Sequence, residues 1–245
     1  LFRFGVMKFF LFDIDGTLTP PRKAMEAGEA MRFLSWMSDK NVYIVSGSDR
    51  KKAMQQLPLS ILSRCNGVFC SMANEYYDNK RDTMIYKNSW NAPAELLNDL
   101  NSFLLNSEYD TRTGNHIEHR PGMINFSIVG READGSERLR YFDWDKKNKE
   151  RESISKFIRS RYKDLDVNIG GQISIDINPK GNNKSQASKW IRENNEDAEI
   201  IFFGDKCFKG GNDYDICLDI QENKDGCFWQ VDGLEETMKI LTKEY

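Results

Sequence analysis

The chain has no C-x-x-C cysteine pair, no apolar run long enough to span a bilayer, no internal repeat and no low-complexity segment. Its five cysteines (Cys65, Cys70, Cys207, Cys217 and Cys227) are odd in number and irregularly spaced, which argues against a disulfide scaffold or a structural zinc site. Buried thiols in a reducing compartment are the simpler reading, and the protein is expected in the cytoplasm. Net charge is also lacking: 35 basic against 38 acidic residues give −3, so nothing draws the whole molecule to nucleic acid or to an anionic membrane. An anionic substrate would need a local basic patch. Histidine is scarce, and His116 and His119, three apart on an expected strand, would face opposite sides rather than share a metal. Lys146-Lys147-Asn148-Lys149 has acidic neighbours and no aromatic platform, and reads as a solvated helix face. The opening Leu1–Met7 has some signal-peptide character, but Asp13 and Asp15 end the apolar stretch and no small-residue cleavage site follows. Met7 is a candidate for the natural start, with the first six residues a remnant.

What is present is ordinary globular material with a punctuated α/β pattern. Apolar residues are 39% and charged residues 30% of 245, enough for one large domain or two modest ones. Residues 7–12 (Met-Lys-Phe-Phe-Leu-Phe) form an apolar run expected of a strand buried on both faces. Ala27, Ala30, Met31, Leu34 and Met37 then recur at helical spacing, with Met25, Met31 and Met37 expected in the core. Val42–Val45 reads as a second strand, Ala53, Met54 and Leu57 mark a helix, and Val68–Cys70 a third strand. Strand alternating with helix predicts a parallel sheet with helices on both faces.

The pattern changes after about residue 82. Pro93 opens a helix whose apolar positions are Leu96, Leu97, Leu100, Phe103 and Leu104. Residues 115–119 and 122–129 read as strands joined at Pro121-Gly122, followed by a helix from about 146 to 162 that buries Ile154, Phe157 and Ile158. From Gln172 to Asn178, alternation puts Ile173, Ile175 and Ile177 on one face and Gln172, Ser174 and Asp176 on the other. The α/β pattern resumes near Lys184, with a strand at Ile200–Gly204 and a last helix carrying Leu234, Met238 and Leu241. The expected architecture is a Rossmann-like parallel-sheet core, residues 1–82 with 187–245, interrupted by an α+β cap at 83–186.

Four polar clusters fall just beyond expected core strands or at a helix start: Asp13–Thr17, Ser46–Asp49, Lys184, and Asp205–Asp213. In open α/β sheets this is where ligands bind. Two carboxylates spaced as Asp13-Ile14-Asp15, a fixed positive charge and a distant acidic cluster suit phosphoryl transfer through an aspartyl-phosphate with Mg²⁺. Asp13 would be the nucleophile and a metal ligand, and Asp15 the general acid/base in the same site and a further metal ligand. Asp205 would complete an oxygen-rich magnesium site, Asn212 and Asp213 would support it, and Lys184 would offset the negative charge. Ser46 or Ser48 can donate to phosphoryl oxygens. An Asp-Gly turn after a strand is often only a turn or a helix cap, but a shared site is the simplest reason for all four clusters to fall together.

These residues resemble the haloacid dehalogenase superfamily, and within it the eukaryotic-type phosphomannomutases. The likeness rests on Phe12-Asp13-Ile14-Asp15-Gly16-Thr17-Leu18-Thr19 with Pro21-Arg22, Gly47-Ser48-Asp49, Arg120-Pro121-Gly122-Met123, Gly130-Arg131 and Glu137-Arg138. It continues in Gly170–Asp176, Phe202–Lys206 and Gly210–Asp213. The resemblance implies Mg²⁺-dependent interconversion of mannose 6-phosphate and mannose 1-phosphate, with a hexose 1,6-bisphosphate as intermediate and activator, feeding GDP-mannose synthesis. It implies that Arg22, Arg120, Arg131 and Arg138 bind the sugar phosphate and that Ser174 and Asp176 meet sugar hydroxyls. It further implies a homodimer through the cap and places Asp219 near a second cation site. Ser46 stands where that family usually has glycine, and Cys70–Glu75 lacks its usual Glu-Asn-Gly. Two other readings stay open: a Mg²⁺-dependent hexose-phosphate phosphatase sharing the aspartyl-phosphate step, and a non-catalytic sugar-phosphate binder.

Overall fold

A computed structural model describes residues 6–245; the reading of the opening residues as a remnant falls almost wholly outside them. The chain forms two compact units, one running to Lys87 and resuming at Asn183, the other spanning Asn88–Asn182. The unit boundaries at 87 and 182 differ from the expected 82 and 186, because a hairpin joins the core sheet beyond residue 82 and Lys184 folds with the core.

The core unit begins with β1 (Met7–Phe12), α1 (Ala27–Trp36), β2 (Asn41–Val45), α2 (Arg50–Gln56), α3 (Leu59–Arg64) and β3 (Gly67–Cys70). The hairpin β4 (Glu75–Asp78) and β5 (Thr83–Lys87) ends this first segment. In the other unit lie α4 (Ala94–Asn106), β6 (Ile117–Arg120), β7 (Met123–Phe126), α5 (Gly135–Asn148), α6 (Glu150–Arg161), β8 (Leu165–Gly170) and β9 (Ser174–Pro179). The core then closes with α7 (Ser185–Asn194), β10 (Ala198–Gly204), α8 (Tyr214–Asn223), β11 (Gly226–Gln230) and α9 (Leu234–Glu244).

The core sheet has the order β11-β10-β1-β2-β3-β4-β5. Pairings from β11 to β3 are parallel, and β4 and β5 add antiparallel. It is thus a mixed sheet with a parallel heart. β1 explains its continuous apolar run: Phe10 and Phe12 enter the core on one face, with Phe33, Ile44 and Phe203, while Phe9 and Leu11 enter the core on the other, with Phe202 and Ile216. Burying each such aromatic is worth roughly 2–3 kcal/mol relative to exposure. After β1 the chain builds outward on one side through β2, and β10 lies on the other. That reversal opens a crevice beyond the carboxyl ends of β1 and β10.

The helix faces differ in detail from their periodicity. On α1 the buried positions are Ala30 and Phe33, with Met37 just beyond, while Ala27 is exposed and Met31 is 71% exposed. Met25 and Met37 are core residues as expected, and Met31 is not. Met54 likewise faces solvent, although Ala53 and Leu57 are buried.

The inserted unit is a four-stranded antiparallel sheet, order β6-β7-β9-β8. Leu96 and Leu100 of α4, Tyr141 of α5, and Ile154 and Ile158 of α6 bury one face of it against Ile124, Phe126, Ile175 and Ile177. Alternation in β9 is as read, although Gln172 and Ile173 lie in the preceding turn. The expected helix at 146–162 is instead two helices. The chain breaks at Lys149, which adopts a left-handed conformation (φ 57°), and Phe157 stays 39% exposed. A buried Arg151–Asp145 pair (2.8 Å) secures this joint, and Arg151 also donates to the Gly171 carbonyl in the turn before β9. The start of α5 carried a readable signal, a capping box in which Asp134 and Glu137 satisfy each other's backbone N–H.

Candidate active site

β1 delivers Asp13 to the crevice, its N–H bonded to the Phe203 carbonyl of β10. The side chain is buried, as is Lys184 at the start of α7, 171 residues away in sequence. Lys184 Nζ donates to Asp13 Oδ1 and to Asp213 Oδ1, each at 2.6 Å. Asp213 is itself fixed by the Lys206 N–H at Oδ2 (3.0 Å). Asn183 sets the start of α7 by accepting from the Ser185 N–H and hydroxyl. A fully buried ammonium with two carboxylates stays charged, and these partners push its pKa up against the cost of burial. Burial pushes Asp13 up to about 7; Lys184 opposes the shift, while Asp213 and Asp205 add to it.

Asp205, from the end of β10, completes the acidic group. One ligand atom each from Asp13, Asp205 and Asp213 lies within 4.8 Å of the others. Asp205 also lies so close to the first loop that a Cβ on Gly16 would meet its Oδ2 at 2.5 Å; Gly16 has φ +83°, so only glycine fits there. Burial raises the pKa of Asp205, with Lys206 Nζ at 2.7 Å opposing. Its Oδ1 is buried and has no protein partner, and neither has Thr17 Oγ1 or Asn212 Oδ1. A cluster of hard oxygen donors with an unsatisfied buried carboxylate oxygen is what a Mg²⁺ ion needs, so these residues fit the expected metal.

Asp15 and Asp219, also expected to hold metal, lie outside this group of three. The Asp15 carboxylate takes bonds from the Arg22 N–H (2.7 Å) and Gln56 Nε2 (2.6 Å), with Lys52 at 3.6 Å. Burial opposes its ionisation, but these partners outweigh it and hold its pKa below the ordinary carboxylate range. Asp213, expected only to support, takes the place in the cluster. Asp219, on α8, accepts from Ser188 Oγ (2.6 Å) and Arg192 (2.9 Å), so a guanidinium already balances its charge. His116 precedes β6, and its Nδ1 lies 2.9 Å from the Ser127 carbonyl.

Ser46 and Ser48 follow β2. Ser46 is buried and accepts the Ser48 N–H at Oγ (3.0 Å). The departing segment Ser71-Met72-Ala73 runs through three consecutive left-handed residues (φ 53°, 60° and 60°). It bonds back to this loop, Ser71 N–H to the Ser48 carbonyl and Met72 N–H to the Ser46 carbonyl. The Arg22 side chain is exposed in the core unit.

The inserted unit gathers a second polar group. Glu118 and Arg120 share a face of β6 by alternation, and register continues the row through Asn125 and Asp176. Glu118 Oε2 accepts from Arg120 (2.7 Å) and from Arg131 Nε (2.9 Å), and Arg131 reaches Ser174 Oγ at 2.8 Å. Asn125 donates to Asp176. Burial raises the Asp176 pKa against the pull of Arg120 and Arg131. Arg138 gives its Nε and one terminal nitrogen to the Ala133 and Arg131 carbonyls, bracing the loop that carries Arg131. Glu118 and Asn125 were not among the sequence candidates. The signal for Glu118 was its place two residues before Arg120 on a strand.

A parallel-hearted sheet with Asp13 and Asp205 at the carboxyl ends of its strands and Lys184 at the start of α7, plus an inserted α+β unit, defines a haloacid dehalogenase-like fold. A haloacid dehalogenase-like hydrolase from Bacteroides thetaiotaomicron superposes with a TM-score of 0.61 at 12% identity, covering 98% of this chain and 100% of that one. The C-terminal domain of C. albicans trehalose-6-phosphate phosphatase gives a TM-score of 0.62 at 17% identity over 89% of this chain and 74% of its own. The sequence profile of the eukaryotic phosphomannomutase family matches residues 31–245. Phosphomannomutase from Spinacia oleracea is 35% identical over 240 residues, 95% of this chain and 94% of its own. The corresponding protein from Encephalitozoon cuniculi is 35% identical over 213 residues, 84% of this chain and 83% of its own. The chain belongs to the eukaryotic phosphomannomutase family.

Proposed function

We propose that this chain interconverts mannose 6-phosphate and mannose 1-phosphate through a phosphorylated Asp13 and a hexose 1,6-bisphosphate. The observation that carries the reading is Lys184 held at 2.6 Å from both Asp13 and Asp213 in a buried acidic group, within a chain of this family. A hexose 1,6-bisphosphate charges Asp13 at the outset. The sugar hydroxyl oxygen then attacks the phosphorus, the Asp13 Oδ–P bond breaks, and the hydroxyl proton passes to Asp15. Asp15 suits that role because its partners keep it ionised. In return, the Asp13 carboxylate attacks the other phosphate, that sugar O–P bond breaks, and Asp15 gives the proton back to the sugar oxygen. Lys184 keeps the site's negative charge in check at each step. Asp13, Asp205 and Asp213 would hold Mg²⁺, which supplies charge neutralisation at the phosphoryl oxygens when bound. Ser46 and Ser48 would donate to those oxygens, with Asn212 supporting the loop.

Arg120 and Arg131, with Ser174 and Asp176 beside them, would bind the sugar and the phosphate that is not reacting. A mutase needs this second phosphate subsite and a simple phosphatase does not. Arg22 would add to phosphate binding, and Arg138 acts through the Arg131 loop. Among the described residues no helix is long and apolar enough to cross a membrane, and the five cysteines are free thiols. The expected product use is GDP-mannose synthesis, and the expected assembly is a homodimer through the inserted unit.

The test is incubation with mannose 1-phosphate, Mg²⁺ and a trace of glucose 1,6-bisphosphate, followed by phosphorus NMR. Mannose 6-phosphate with little free phosphate, dependent on the bisphosphate, is the expected result. Free phosphate as the main product would replace the mutase with the phosphatase.

A further inference from the structure

Among the polar groups of the inserted unit, Glu118 stands out because it works against the task assigned to its neighbours. Arg120 and Arg131 are read as an anion clamp, and an acid between them lowers the affinity of any anion they hold. Yet one oxygen of Glu118 takes both guanidiniums, at 2.7 Å and 2.9 Å. All three side chains are partly exposed, at 20% for Arg120, 21% for Arg131 and 35% for Glu118. Burial and the charge of Arg120 weigh on Arg131, and Glu118 is the main opposing influence. Arg131 in turn spends a terminal nitrogen on Ser174. With Asp176 facing the same pair, two guanidiniums are set against two carboxyl groups rather than left as bare positive charge.

The reaction gives that balance a purpose. The bisphosphate must leave the clamp by one phosphate and return by the other within a single cycle. A clamp that held either phosphate too tightly would bind the intermediate well and turn it over slowly, because affinity gained equally by ground and transition states does not raise kcat.

We propose that Glu118 is a positioning and charge-balancing residue of the phosphate clamp: it aims Arg120 and Arg131 and, by keeping the clamp's net charge low, lets the sugar bisphosphate release and rebind within each cycle. This rests on the reading of Arg120 and Arg131 as phosphate-binding residues.

Glu118→Gln separates charge from shape, since its amide oxygen can still accept from both guanidiniums while the negative charge is gone. Calorimetry with mannose 1-phosphate on Glu118→Gln is expected to show binding tighter by about fivefold. Steady-state kinetics with added glucose 1,6-bisphosphate should show kcat and KM falling together, also by about fivefold, with kcat/KM nearly unchanged. Glu118→Asp, which keeps the charge, should return both values to within about twofold of the parent enzyme. Unchanged or weaker binding in Glu118→Gln overturns the proposal, as does tighter binding with kcat intact. If the parent enzyme released only free phosphate, the mutase reading would fail separately, and the calorimetric comparison would still decide whether Glu118 limits anion affinity.

Discussion

The core and the inserted unit each place basic side chains among carboxylates, and they do so in opposite ways. Around Lys184 both partner carboxylates are 5% exposed or less and the ammonium is fully buried, with 2.6 Å contacts on either side. Around Glu118 the charges are a fifth to a third exposed, and the arrangement has two cations to one shared carboxylate oxygen. Buried charges cannot rearrange cheaply, so the first group suits a fixed electrostatic frame for bond making. Partly solvated guanidiniums exchange partners at low cost, so the second suits repeated capture and release. Under the proposed function, this contrast would put the chemistry in one unit and recognition in the other. It predicts that the same kind of substitution has different consequences in each.

The largest separation is expected from Asp13→Asn. Loss of the proposed nucleophile should lower mannose 1-phosphate turnover by about 10³-fold or more, while calorimetric binding of the sugar phosphate persists. If binding vanished along with turnover, the division of labour would break. Next in size is Lys184→Met, which leaves Asp13 and Asp213 facing one another without their cation. Removing one partner from a buried group of this kind costs about 3–5 kcal/mol, read as a lowered denaturation midpoint as well as lost activity. Arg131→Met should behave differently: little change in stability, but a loss of about 2 kcal/mol in apparent binding, seen as a raised KM. A variant with a normal KM would remove Arg131 from the clamp.

How much of this contrast could be read in the sequence depends on whether local pattern or long-range assembly decides a residue's place. Ile173, Ile175 and Ile177 announce a strand with one packed face, and the structure buries all three to 1% exposure or less. Asp13, Lys184 and Asp205 were legible because each sits at the end of an apolar run or at a helix start in a recognisable order. Asp213 was undervalued, since its position beside Lys184 comes from the fold of the loop after β10 and not from spacing along the chain. Met31 shows the limit of helical period: Met31 and Phe33 both fit an apolar stripe, and only packing against Phe12 and Trp36 selects Phe33. α5 was overlooked because its exposed faces are charged and its buried members include Tyr141 and Asp145, which no apolar pattern marks. β11 was overlooked because it is a short edge strand. Glu118 escaped notice because its meaning depends on Arg131, which arrives from a loop 13 residues on.

The pH dependence of metal binding sharpens the core side of the comparison. A carboxyl of this kind ordinarily loses its proton near 3.8, but burial pushes Asp13 up to about 7. A raised carboxyl pKa means that the folded state holds a proton the unfolded chain has lost. This contribution to stability is fully present below 3.8 and is lost as pH rises through about 7. Mg²⁺ competes with that same proton. Its affinity, followed by calorimetry or by the rise in melting temperature, should therefore increase about tenfold per pH unit from pH ~5 to ~7 and then level off. A flat profile would mean that Asp13 does not hold the metal. EDTA should abolish both the thermal shift and turnover.

The smallest expected effect tests whether the two units respond alike where no function is at stake. Lys149 ends α5 in the inserted unit and Lys224 ends α8 in the core, both exposed and both left-handed, at φ 57° and 55°. Each gives its N–H to the carbonyl four residues back, Asp145 for Lys149 and Ile220 for Lys224. Glycine adopts this conformation without the Cβ penalty, so Lys149→Gly and Lys224→Gly should each raise stability by about 0.5–1 kcal/mol, with kcat and KM untouched. Equal gains at both sites would show that the units differ in their charge chemistry alone. A gain confined to Lys224 would show that the left-handed joint at Lys149 is held by the buried Arg151–Asp145 pair so firmly that its backbone strain no longer limits stability.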